Sequence, residues 1–193
     1  MKTLLLAAAA ALAATTASAQ TPSLSCERLS TLPLTGGTIT SAQTVPAGQF
    51  MPPANGRAGG QPRTNPYATV PAFCRVMAQL KPSTDSDIRV EVWLPVAGWN
   101  GKLQVVGNGG FAGAIGYPAL GTAITDGYVA ASTDTGHTGG DPAFMQGHPE
   151  RVTDFAYRAI HELTVAAKSL STTYYGNGPR LSYFLSLIHI SEP

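Results

Sequence analysis

Between Lys102 and Gly113 the chain reads KLQVVGNGGFAG, a short apolar run passing straight into a glycine-rich loop. Leu103, Val105 and Val106 suit a buried strand. Gly107, Gly109, Gly110 and Gly113 let the backbone turn sharply and leave N–H groups uncovered. A strand that ends in bare amides is a place to hold negative charge. Two chemistries use such a place: the oxyanion hole of an acyl-transfer enzyme and the phosphate cradle of a nucleotide-binding fold.

The flanking sequence sets the fold class. Ala72 to Ala78 is strand-like, Lys81 to Asp87 is a turn, and Ile88 to Leu94 alternates apolar and polar with period two. These two strands are expected to pair antiparallel at a sheet edge. Pro95 to Gly101 turns the chain into the central strand, Lys102 to Val106. Pro118 to Asp126 reads as a short helix closed by Gly127, Tyr128 to Ser132 as the next buried strand, and Thr133 to Gly147 as a second polar, glycine-rich loop. The longest helix opens on Pro149, carries Glu150 in its first turn and ends before Gly176. Val152, Phe155, Ala156, Ala159, Leu163, Ala166 and Leu170 form the stripe expected to pack on the sheet. Asp154, Tyr157, Arg158 and His161 are expected on the outer face, with Asp154–Arg158 and Arg158–Glu162 spaced as ion pairs. Leu181 to Phe184 begins another strand. The alternation is that of an α/β fold, a mostly parallel sheet with crossover helices.

Residues 1–19 read as a secretory signal peptide: Lys2, the apolar run Leu4 to Ala14, then Ala17-Ser18-Ala19, with cleavage expected before Gln20. No later segment reaches the roughly 18 apolar residues of a membrane span. Without Lys2 the chain is close to neutral and offers no basic patch to displace counterions, so neither nucleic acid nor membrane is an expected partner. Charged residues are only 12% of the chain, against 21 glycines and 15 prolines, which points to a loop-rich extracellular domain, secreted or periplasmic. Residues 20–66 are expected to form an irregular arm with one short strand near Thr38 to Thr40, and the folded region to begin at Tyr67. Cys26 and Cys74 are the only cysteines. An oxidising compartment makes their bridge the expectation, worth roughly 4 kcal/mol of unfolded-state entropy; two buried free thiols are the alternative. Neither has a ligand-spaced partner, so no metal site is expected.

For the glycine loop, the dinucleotide reading rests on Gly107 to Ala112, which fits G-x-G-x-x-A, and on Asp134 after the next strand. Against it, Gly113, Gly116 and Pro118 keep the chain irregular where a phosphate-binding helix should start. As an oxyanion loop the same residues have the right address, because α/β-hydrolase esterases place one donor amide after an early central strand. A glycine turn without chemistry is the third reading. Asp134 and His137 sit at the carboxyl end of a strand and are candidates for lining a substrate pocket, the alternative being that they shape the loop. His161 reads as a surface or lid-contacting residue. Ser132, Ser186 and Ser191 lack the glycine-flanked elbow of an exposed nucleophile.

The motifs GWNGKLQVVGNGGFAG, ASTDTGH and GHPERVTDFAYRAIHELTVAAK, followed by YYG and SYF, resemble the N-terminal part of the tannase and feruloyl esterase family of secreted serine esterases. With Phe73-Cys74-Arg75-Val76 and the strand ending WLP, the likeness runs from about Cys26 to Phe184. It implies an α/β hydrolase, later interrupted by a lid, that hydrolyses carboxylic esters of phenolic acids, either small molecules or esters on plant polysaccharide. Gly109 and Gly110 match the glycines of the family's oxyanion loop. Where the family continues into a Gly-Cys-Ser-x-Gly-Gly elbow, this chain has Leu185 to Pro193, LSLIHISEP, which resembles translated sequencing adapter. The resemblance therefore implies that residues 67–184 are the N-terminal part of the hydrolase domain and that 185–193 are a non-native tail. The nucleophile, the acid, the catalytic histidine and a lid calcium site would lie beyond Phe184, leaving this chain cofactor-free and inactive alone. A secreted non-catalytic binding module, using the loops after Gly107 and Ser132, is the reading from a different class.

Overall fold

The computed structural model describes residues 21–53 and 64–186. The expected signal peptide, Ser191 and most of the expected non-native tail lie outside them. Six strands form one sheet in the order β1-β2-β3-β5-β4-β6: β1 Gly37–Val45, β2 Phe73–Leu80, β3 Ile88–Pro95, β4 Lys102–Val106, β5 Val129–Thr133 and β6 Leu181–Leu185. β1 to β2, β2 to β3 and β3 to β5 pair antiparallel, whereas β4 pairs parallel with both β5 and β6. The α/β class holds, and among the described residues the sheet is mixed: an antiparallel half joined to a parallel half.

Crossover helices cover both faces. Helix α1 (Tyr117–Thr125) packs Leu120, Ala123 and Ile124 against Phe73, Trp93 and Ala130. On the other face α3 (Ala159–Tyr175) packs Ala159, Leu163, Ala167 and Leu170 against Val90, Val92, Val105 and Ala131. β3 therefore buries Val90 and Val92 under one helix and Trp93 under the other, and only Arg89 along it is exposed. Burying a Val or Leu side chain contributes about 2 kcal/mol, so this two-sided strand is the most heavily anchored element. No helix among the described residues is long and apolar enough to cross a membrane.

The arm before Tyr67 is more regular than its composition implies. A 3₁₀ helix at Cys26–Thr31 places Leu29 fully inside, and β1 runs nine residues rather than three. Only Ile39 and Ala42 of β1 are buried, and threonine, serine and glutamine fill its open positions, so the strand carries little apolar signal. β1 also takes the sheet edge expected for the β2–β3 pair. Cys26 and Cys74 are bridged, with Cα atoms 5.4 Å apart, fastening the 3₁₀ helix to β2. Glu27 Oε1 accepts hydrogen bonds from the amide and hydroxyl of Thr44, fastening it to β1 as well.

The long helix is capped as expected, by Pro149 and by Gly176 at φ +76°, but a π-turn at Asp154–Arg158 separates α2 (Pro149–Thr153) from α3. The wider turn shifts the register of the apolar stripe. Ala159, Leu163, Ala166 and Leu170 are buried as expected, while Val152 and Ala156 are exposed. Asp154, expected on the outer face, is 1% exposed. Arg158 reaches Asp154, Glu150 and Ser86 rather than Glu162. β6 has every residue exposed.

Candidate functional site

The glycine loop leaves β4 at the carboxyl end of the parallel strands, where open α/β sheets build their sites. Gly107 still belongs to the ladder, its amide donating to Leu185 O at 2.8 Å. The Asn108 side chain then ties the loop to β5, its Nδ2 donating to Thr133 O at 2.9 Å. Beyond it the chain folds into a turn closed by the Ala112 amide on Gly109 O, with Gly110 at φ +55°, a conformation that favours glycine. The amides of Gly109 and Gly110 donate to no described residue. An unengaged donor here is what an oxyanion loop has to supply. A cleft of about 340 Å³ opens beside them, walled by Gly107, Asn108 and Gly110 on one side and by Phe155, Tyr157 and Phe184 on the other. Ser186 lines it too, just past the end of β6.

The loop after β5 holds the glycine loop in place. Gly113 and Gly139 form an isolated antiparallel bridge, with the Gly113 amide 2.6 Å from Gly139 O. A Cβ at 113 would sit 2.5 Å from the carbonyl oxygen of His137, so the approach admits only glycine. His137, 8% exposed, donates from Nε2 to Phe111 O at 2.9 Å; the carbonyl can only accept, so Nε2 carries the proton. The imidazole stacks on Phe144 at 3.7 Å and meets Phe155 edge-on, and Phe155 in turn stacks on Phe111.

Asp134 is placed differently. Its Oδ1 accepts from the Arg89 and Gly136 amides, locking the end of β5 to the start of β3. Burial pushes its carboxyl up to about 6, partly offset by those two amides. It lines a second groove of about 540 Å³ with Arg75, Glu91, Tyr117 and Thr138, whereas His137 lines neither cavity and is packed among the phenylalanines. The groove floor is a buried network. Glu91 receives a two-pronged bond from Arg75 at 2.6 and 2.9 Å, the Trp93 indole N–H at 3.0 Å and the Tyr117 hydroxyl at 2.9 Å. Burial and then the Glu91 charge hold the Tyr117 hydroxyl far above its ordinary range. Glu91 and Tyr117 were not among the expected site residues, although a carboxylate inside the apolar run VEVW is a legible sign of a buried partner.

Ser132 is fully buried and its hydroxyl accepts from the Gly116 amide, while His161 is exposed on α3. The dinucleotide reading has no geometric support. The chain stays non-helical until Tyr117, so no helix N-terminus meets the glycines, and Asp134 Oδ1 is engaged in its own turn. Among the described residues no three His, Cys, Asp or Glu side chains converge.

Residues 74–186 match the family model described as tannase and feruloyl esterase. An uncharacterized esterase of Xanthomonas campestris pv. campestris is 41% identical over 172 residues, which are 88% of this chain and 28% of that protein. The probable feruloyl esterase B-1 of Aspergillus oryzae is 33% identical over 154 residues, 79% of this chain and 28% of its own length. The crystal structure of feruloyl esterase B from Aspergillus oryzae superposes with a TM-score of 0.73 at 32% identity, covering 83% of this chain and 31% of that one. The chain thus spans under a third of the proteins it matches.

Proposed function

The chain belongs to the tannase and feruloyl esterase family, and we propose that it supplies the oxyanion loop of an exported hydrolase acting on carboxylic esters of phenolic acids. The observation that carries this reading is the pair of unengaged amides at Gly109 and Gly110, in the loop after β4 within the matched residues. In the proposed reaction a serine attacks the ester carbonyl, a histidine takes its proton, and an amide from Gly109 or Gly110, with the amide of the residue after the nucleophile, stabilises the charge that forms on the carbonyl oxygen. Neither the serine nor the histidine is assigned to this chain: Ser132 is fully buried under the Gly116 amide and His137 is bound to Phe111. The nucleophile is proposed to follow β6, next to the Gly107–Gly110 cleft, and the 193-residue chain alone to be inactive. The Cys26–Cys74 bridge supports export to an oxidising compartment.

The test uses the full-length gene product and the 193-residue chain side by side. Each is assayed with a methyl hydroxycinnamate and with a gallate ester, and with a fluorophosphonate probe for activated serines. Turnover and labelling by the full-length protein alone is the expected result. Replacing Gly109 or Gly110 with valine should then lower kcat by about two orders of magnitude, near 3 kcal/mol, with little change in KM. Full turnover in both valine variants would reduce the loop to a plain turn, and turnover by the 193-residue chain would overturn the assignment of the nucleophile.

A further inference from the structure

The amides at Gly109 and Gly110 are useful only if the loop holds still. Backbone conformation alone does not do this, because the turn has one internal hydrogen bond, Ala112 N to Gly109 O. Its outer flank is held from the neighbouring loop instead. His137 Nε2 donates to Phe111 O, one residue past Gly110, and the imidazole is fixed in turn by Phe144 flat against it and Phe155 on its edge. Phe155 comes from the π-turn, whose register is set by Arg158 holding Asp154 and Glu150.

We propose that His137 is a positioning residue that sets the aim of the Gly109 and Gly110 amides through its Nε2–H bond to the Phe111 carbonyl. This rests on the oxyanion reading above and adds to it a group that touches no substrate. Of the two roles the sequence left open for His137, lining a pocket or shaping the loop, it develops the second. The imidazole ring supplies a flat surface for Phe144 and a directed donor for Phe111, and the proposal assigns the effect on the amides to the donor.

Two variants separate those contributions in the full-length protein. His137→Phe keeps a flat ring on Phe144 and loses the donor, whereas His137→Gln keeps an N–H at similar reach and loses the ring. The first readout is hydrogen exchange at Ala112 and Gly113, which does not depend on any reaction. The Phe variant should exchange about tenfold faster there than the Gln variant. The second is steady-state kinetics on a methyl hydroxycinnamate: kcat should fall about 30-fold in the Phe variant with KM within about twofold, and should stay within about fivefold of wild type in the Gln variant. Phe144→Leu, which loosens the stack and leaves the donor, should speed exchange at Ala112 and Gly113 and lower kcat less than His137→Phe does, and superposable far-ultraviolet circular dichroism of all three variants excludes a folding defect. The proposal is overturned if the Phe variant matches wild type in exchange and kcat, or if the two His137 variants lose kcat equally. A wild-type protein without ester turnover, but with the exchange difference intact, would leave the positioning role standing and remove the esterase reading.

Discussion

The antiparallel and parallel halves of the sheet are built on opposite terms. β2 and β3 bury residues on both faces, the disulfide and Glu27 clamp the amino-terminal segment onto them, and Glu91 gathers the indole, phenol and guanidinium around it. β6 buries nothing, and the loop after β4 leaves two amides without partners among the described residues. Free energy of folding is concentrated where backbone and side chains are fully engaged, and chemistry where they are not. Glycine loops and an open strand end would be liabilities alone; here they hang from a half that does not depend on them.

The largest test of this contrast is removal of the disulfide. With Cys26 and Cys74 separated by 48 positions, replacing both with alanine should lower the unfolding free energy by about 4 kcal/mol, read from urea midpoints at constant m. A loss under about 1 kcal/mol would show that the amino half needs no fastening. Next comes Glu91→Ala. It strands Arg75, which lies 5.3 Å over the Phe50 ring, and should cost about 3 kcal/mol. An Arg75→Met, Glu91→Leu double variant should recover most of that loss, because what hurts is an unpaired buried charge rather than a missing attraction.

Asp134 joins the two halves, and its effect is a pH dependence. Its folded carboxyl titrates at about 6, above its unfolded value, so the folded state binds the proton more tightly. The stabilisation is complete below about pH 4 and is lost as pH rises through about 6. Asp134→Asn keeps an acceptor for the Arg89 and Gly136 amides and has no charge to bury. Its stability should therefore overtake wild type by about 2 kcal/mol between pH 4 and pH 7, measured by thermal unfolding across that range. Parallel curves for the two proteins would place the titration elsewhere. The smallest effect is expected on β6. Leu185, 54% exposed, should accept lysine within about 0.5 kcal/mol while light scattering falls, because a charge blunts an open edge. A loss as large as that from Glu91→Ala would mean that the parallel half is as tightly engaged as the other.

Sequence alone was sufficient where neighbours in the chain decide the outcome. The alternation of Ile88 to Leu94, the glycine run after Val106, and Pro149 with Gly176 as helix ends are local signals, and the matching elements are present. It fell short where distant partners decide. Asp154 and Arg158 read as an exposed i,i+4 pair, yet Arg158 also serves Ser86 across the fold and the carboxylate is buried. For His137 the sequence left pocket lining and loop shaping both open, because two of its partners, Phe111 and Phe155, come from other segments. β1 was visible only as a fragment, since an edge strand with two buried side chains needs no apolar run.

The Cys26–Cys74 bridge also changes what a protease can do to the molecule. The two cysteines lie on opposite sides of the connection between β1 and β2, with β1 and the 3₁₀ helix on one side and the rest of the sheet on the other. A cut anywhere from residue 46 to residue 72 would therefore release no fragment. The nicked pieces would remain one covalent body, with β1 hydrogen-bonded to β2 from Gly37 to Val45, and would part only under a reductant that first breaks the sulfur link. A severed backbone there becomes tolerable damage.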